Sequence, residues 1–148
     1  MKELAPFSWL ATIVVLAAGC SSGGDVEGRV KVYPVSGAVK VAGQPAAGAR
    51  VVFYGATPEL IGPGTVSPAA VTDENGVFQL QSYGPGDGAP AGQFNVTVSW
   101  PEEVPEGVDS EVNRPKDRLK NRYLNPETSG LTAEVPVGGV ELPPFELN

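Results

Sequence analysis

Two facts about side-chain chemistry bound what this chain can do: Cys20 is its one cysteine, and it has no histidine. No Ser-His-Asp set, Cys-His pair or His/Cys zinc cluster can be built from such an inventory. Carboxylates, lysines, hydroxyls and tyrosines remain. Neither a carboxylate-pair glycosidase nor a Ser-Lys hydrolase has a supporting motif, and no cofactor is implied. The densest charge pattern is an alternating basic run, Arg114, Lys116, Arg118, Lys120 and Arg122, with Asp117 inside it and Tyr123 at its end. Such a run could grip phosphate, an acidic glycan or lipid headgroups. The competing reading is a solvated loop whose cations balance Glu102, Glu103, Glu106, Asp109 and Glu111 just upstream.

Cys20 follows the apolar stretch Leu10–Gly19, with Lys2 supplying positive charge near the start and small residues at Ala17, Ala18 and Gly19. That arrangement reads as a secretion signal with a site where a peptidase can reach the backbone. From Leu4 to Gly19 there are sixteen residues, interrupted by Pro6 and Ser8, short of the about 20 apolar residues of a membrane-spanning helix. A free thiol beside Ser21-Ser22-Gly23-Gly24 would be an exposed reactive group. The string Leu16-Ala17-Ala18-Gly19-Cys20 resembles the lipobox of bacterial lipoproteins, with the leucine that family favours standing one position further back, at Leu16. The resemblance implies a diacylglyceryl group on the Cys20 sulfur, cleavage just before it, and acylation, as by palmitate, of the new amino end. It also implies a place on a membrane surface of the cell envelope, facing outside the cytoplasm. Ser21, where lipoproteins retained at the inner membrane often carry Asp, points to the outer membrane. Each buried acyl methylene contributes about 0.8 kcal/mol, so two or three chains hold a small protein at a bilayer.

Cleavage would remove the first 19 of 148 residues and leave 129, enough for one domain with a core. Lys2 and Glu3 leave together, so the formal charge stays at −7. That sign argues against nucleic acid or anionic lipid as the main partner of the domain. The organisation expected is a signal peptide over 1–19, the lipidated cysteine and a flexible tether over 20–32, and a folded domain over 33–148. The Ser/Gly/acid stretch from Ser21 to about Arg29 would reach about 15–18 Å on average.

From Tyr33 onward the hydrophobic pattern has period two, with Gly, Pro and Asn closing each stretch. Val35, Val39 and Val41 fall on one face and Ser36 and Lys40 on the other. In Arg50–Tyr54, Val51 and Phe53 oppose Arg50, Val52 and Tyr54. Phe94, Val96, Val98 and Trp100 alternate with Asn95, Thr97 and Ser99, and Pro101 ends the run. Asp73-Glu74-Asn75-Gly76 between Val71-Thr72 and Val77–Gln81 reads as a hairpin, with Gly76 left-handed after a type I turn and Asp73 bonding the turn amides. Leu131–Val135 and 140–147 supply the last strands. Residues 55–70, 82–91 and 101–130 read as loops, the last with a short helix over Pro115–Tyr123. Six or seven short strands argue for an antiparallel β-sandwich.

Together, Val35–Val39, Gly43–Val51, Thr72–Phe78 and Pro90–Val98 resemble the carboxypeptidase regulatory-like domain. That family is transthyretin-like, a seven-stranded Greek-key sandwich found in small bacterial lipoproteins, and the resemblance covers about 33–148. It implies a non-catalytic module that binds or scaffolds envelope protein or polysaccharide. The alternative is a surface glycan-acting hydrolase using loop carboxylates such as Glu102, Glu103, Asp109 and Glu111. Three sharper readings are weaker. Asp73, Glu74, Asn75 and Asp87 are explained by turn chemistry before calcium. Lys40 faces outward, away from any buried isopeptide partner. Trp100, by its alternation, belongs to the core before it belongs to a sugar platform, and Tyr54 and Tyr83 are lesser surface aromatics.

Overall fold

The computed structural model describes residues 28–62, 64–107 and 114–148. Eleven short strands run in chain order through these residues: β1 (Val32–Tyr33), β2 (Val35–Val41), β3 (Gln44–Pro45), β4 (Arg50–Gly55), β5 (Ala69–Val71), β6 (Val77–Gln79), β7 (Ala89–Pro90), β8 (Gly92–Ser99), β9 (Leu131–Val135), β10 (Val140–Glu141) and β11 (Phe145–Leu147). A 3-10 turn at Pro58–Leu60 is the one helical element among them. One sheet has the order β5-β4-β8-β9 and is antiparallel throughout. The second is built around β2, with β6 and β3 on one flank and β10 and β11 on the other. Because each flank of β2 is assembled from two pieces, the eleven segments occupy about seven strand positions, plus the small β1-β7 ribbon that closes one end.

The two sheets form a β-sandwich because their alternating faces supply one shared core. Val35, Val39, Phe78, Leu80 and Leu147 come from the β2 side, and Val51, Phe53, Phe94, Val96, Val98 and Val135 from the other. Each such side chain contributes about 1.5–3 kcal/mol when fully buried. Phe53 and Phe94 meet across β4 and β8 at 5.6 Å between ring centroids, tilted by 50°. On the β2 side Phe78 lies over Gly37, where an added Cβ would come within 2.6 Å of the ring, and stacks 6.2 Å from Phe145.

The expected alternation in β2, β4 and β8 is present, with the valines and phenylalanines inside. Four expectations need correction. The sandwich is not wholly antiparallel, since β10 and β11 pair parallel to β2. The turn at Asp73–Gly76 has the expected form: Gly76 has φ +73° and its N–H donates to the Asp73 carbonyl, while Asp73 Oδ1 accepts from the Asn75 and Val77 amides at 2.8 and 2.9 Å. Its two arms stay bridged as a hairpin at Ala69 and Gln81, but their strands also join different sheets, β5 pairing with β4 and β6 with β2. No helix forms over Pro115–Tyr123; the segment is a chain of turns, with Lys120 and Asn121 at positive φ. Finally, Thr97 is buried although it was expected on the solvent face.

The strand directions define two poles. At the pole where the chain enters, Gly28 lies against Gly64, β1 pairs with β7, and the 3-10 turn packs Leu60 over Gly92. The turn between β9 and β10 is at this pole too, with Gly139 over the Pro34 carbonyl. At the opposite pole are the Ala42-Gly43 turn, the Asp73–Gly76 turn and the segment following β8. Among the described residues no helix is long and apolar enough to cross a membrane.

Candidate functional site

The basic run sits at the pole opposite the entering chain, and Asp117 is the residue that shapes it. Immediately after β8 the backbone at 100–102 pairs with 116–118: Arg118 N–H donates to the Trp100 carbonyl at 2.8 Å and Glu102 N–H to the Lys116 carbonyl at 2.9 Å. The Asp117 carboxylate then accepts from Trp100 N–H through Oδ1 at 2.6 Å and from Asn121 N–H through Oδ2 at 2.8 Å. This carboxylate draws the chain into turns, which is why the Leu119–Tyr123 spacing does not produce a helix. Leu119 and Tyr123 are nevertheless both buried, and the Tyr123 carbonyl accepts Val98 N–H at the end of β8. The Tyr123 hydroxyl accepts Asn148 N–H at 3.3 Å, so this residue joins the two sheets at their rim. Thr97 is buried where this segment closes over the end of β8.

With Leu119 and Tyr123 turned inward, the cations project outward. Arg114, Lys116, Arg118, Lys120 and Arg122 are all exposed. The Arg118 guanidinium stands 4.8 Å from the Trp100 ring centre and Arg122 stands 5.6 Å from that of Tyr123. Both are within cation–π range. Trp100 is half-buried, neither wholly core nor an open platform, and its indole N–H donates to the Ala47 carbonyl at 2.8 Å. Arg114 and Lys116 line a shallow groove of about 200 Å³ with Glu102, Glu103, Val104, Pro105 and Pro115. The basic run is thus divided between two aromatic-backed arginines and a mixed-charge groove.

Among the other candidates, Asp87 accepts the amides of Ser82 at 2.7 Å and of Tyr83 and Gly84 at 2.9 Å, so its carboxylate organises a loop. Lys40 forms a 3.7 Å ion pair with Glu146 on β11. Glu102 and Glu103 are exposed, while Asp109 and Glu111 lie outside the described residues. Glu59, at the entry pole, is held below the usual carboxylate range by hydrogen bonds to its own backbone N–H and to Thr57, the opposite of what a general acid needs. No group of three metal-ligating side chains occurs among the described residues. Cys20 lies outside them. The Asp117 carboxylate was the feature sequence reading passed over; its signal was an acid between cations, one position before Arg118 and four before Asn121.

Comparison of the chain with known protein families, curated protein sequences and solved structures finds no significant match to any of them.

Proposed function

We propose that this chain is a lipid-anchored β-sandwich of the bacterial cell envelope, of carboxypeptidase regulatory-like type, whose role is non-catalytic binding or scaffolding. The lipid is carried on Cys20. The observation that carries the reading is the division of the molecule into poles. The chain that leads back to Cys20 enters at one end, whereas Arg118 on Trp100, Arg122 on Tyr123 and the exposed Lys120 stand at the other. Held by its entry pole, the sandwich presents this cationic and aromatic surface away from the membrane. Arginine placed over an aromatic ring still has N–H groups to fork onto a carboxylate, phosphate or acidic sugar. An anionic envelope protein or polysaccharide is therefore the partner.

The test compares cells expressing wild-type protein, Cys20→Ala and a charge-reversed Arg118→Glu, Lys120→Glu, Arg122→Glu variant, grown with a labelled fatty acid and crosslinked in intact envelopes. Label enters wild type and the charge-reversed variant but not Cys20→Ala, and crosslinked partners are lost from the charge-reversed variant alone. Label persisting in Cys20→Ala, or an unchanged partner set after charge reversal, contradicts the proposal.

A further inference from the structure

Turn tips of soluble sandwiches are ordinarily polar, because they project into water and carry backbone groups that need solvation. The pole bearing the basic run follows this rule at Asp73, Glu74, Asn75, Lys120 and Asn121, although Val77 and Leu124 beside these tips are 41% and 44% exposed. The entry pole breaks it. Val137, in the turn between β9 and β10, is 76% exposed, and Ile61, just after the 3-10 turn, is 63% exposed. Val30, on the entering chain, is 39% exposed. The surrounding tip residues, Gly62, Gly64, Pro85, Gly86, Pro136 and Gly138, carry no charge. Asp87 is turned inward onto three amides, which leaves Glu59 as the acid at a tip there. Glu134 and Glu141 sit on strands behind the tips.

The entering chain adds two cations to this apolar rim. Val30 N–H donates to the Tyr83 hydroxyl at 3.0 Å, the Arg29 guanidinium lies 4.9 Å from the Tyr83 ring centre, and Lys31 lies 5.4 Å from that of Tyr33. These contacts fix the first described residues against the domain, so the direction in which the chain departs is set by the fold. We infer that the entry pole is a bilayer contact surface, with Val137, Ile61 and Val30 meeting the headgroup–acyl boundary and Arg29 and Lys31 facing anionic headgroups. The inference rests on the lipid anchor at Cys20, which would hold this pole within about 15–18 Å of the membrane. Exposed apolar tips gain by entering the interface, while Arg29 and Lys31 offset the charge of Asp25 and Glu27 just upstream, so the apolar residues carry the contact. A protein partner would compete with the bilayer for this pole and is the reading the test excludes.

The experiment uses the full lipid-anchored protein, with Val137→Cys, Ile61→Cys and Glu74→Cys made singly and labelled with an environment-sensitive fluorophore. Cys20, blocked by lipid, leaves each new thiol as the one labelled. The proteins are reconstituted into vesicles of phosphatidylethanolamine and phosphatidylglycerol containing a lipid-borne quencher. Quenching at positions 137 and 61 several-fold stronger than at 74, with blue-shifted emission, is the expected result. Equal, weak quenching at all three positions in protein that floats with the vesicles overturns the bilayer contact while leaving the anchor intact. Protein that does not float overturns both. All three sites are exposed, so the substitutions leave the core untouched.

Discussion

Gly37 has no side chain on a strand otherwise rich in valine, and the Phe78 ring occupies the space one would need. An added Cβ would meet the ring at 2.6 Å and the Leu142 Cβ at 3.4 Å. Gly37→Ala should therefore lower stability by about 1–3 kcal/mol through overpacking. In a Phe78→Leu background, where the ring is gone, the same change should cost much less. Denaturant titration of the four proteins of this cycle measures the difference, and simple additivity would contradict the contact. The polar residues follow a different logic. Asp73, Asp87 and Asp117 each direct carboxylate oxygens at two or three backbone amides, organising loops that have no regular structure. Asp73 and Asp87, weighed as calcium ligands in the sequence, and Asp117 as well are thus engaged by the backbone.

At the scale of elements, the segment from 114 to 124 depends on Asp117. Asp117→Ala removes the acceptor for Trp100 N–H and Asn121 N–H, at a cost of about 1–3 kcal/mol. The expected outcome is several-fold faster tryptic cleavage at Arg118, Lys120 and Arg122, with the sheet signal in far-ultraviolet circular dichroism retained. Unchanged cleavage would show that the turns stand without it. The same segment marks the limit of what local pattern reveals. Period-two alternation in β2, β4 and β8 was legible because each strand buries one face, and the Asp73–Gly76 turn was legible because its residue types dictate its geometry. A helix over Pro115–Tyr123 was suggested by Leu119 and Tyr123, whose burial is real; the backbone path is set instead by a carboxylate bonded across seventeen residues. Parallel pairing of β10 and β11 with β2, and the division of β5 and β6 between sheets, are long-range choices that no local spacing encodes. β1, β3 and β7, at two residues each, are too short to show a period.

For the whole molecule, the chain's polarity is the organising feature. Chain entry and the exposed Ile61 and Val137 lie at one pole, while the basic run, Trp100 and Tyr123 lie at the other. The basic run was legible in the sequence as charge, but its position relative to the entering chain was not, because that depends on which strand ends meet. Under the proposed lipid anchor on Cys20, one end would face the bilayer and the other the envelope. The most direct measurement is the intact mass of the natural protein extracted from membranes by detergent. The account predicts a chain of 129 residues beginning at Cys20, heavier than its polypeptide by a diacylglyceryl group and an amide-linked acyl chain. A 148-residue chain beginning at Met1 with a free thiol would contradict it.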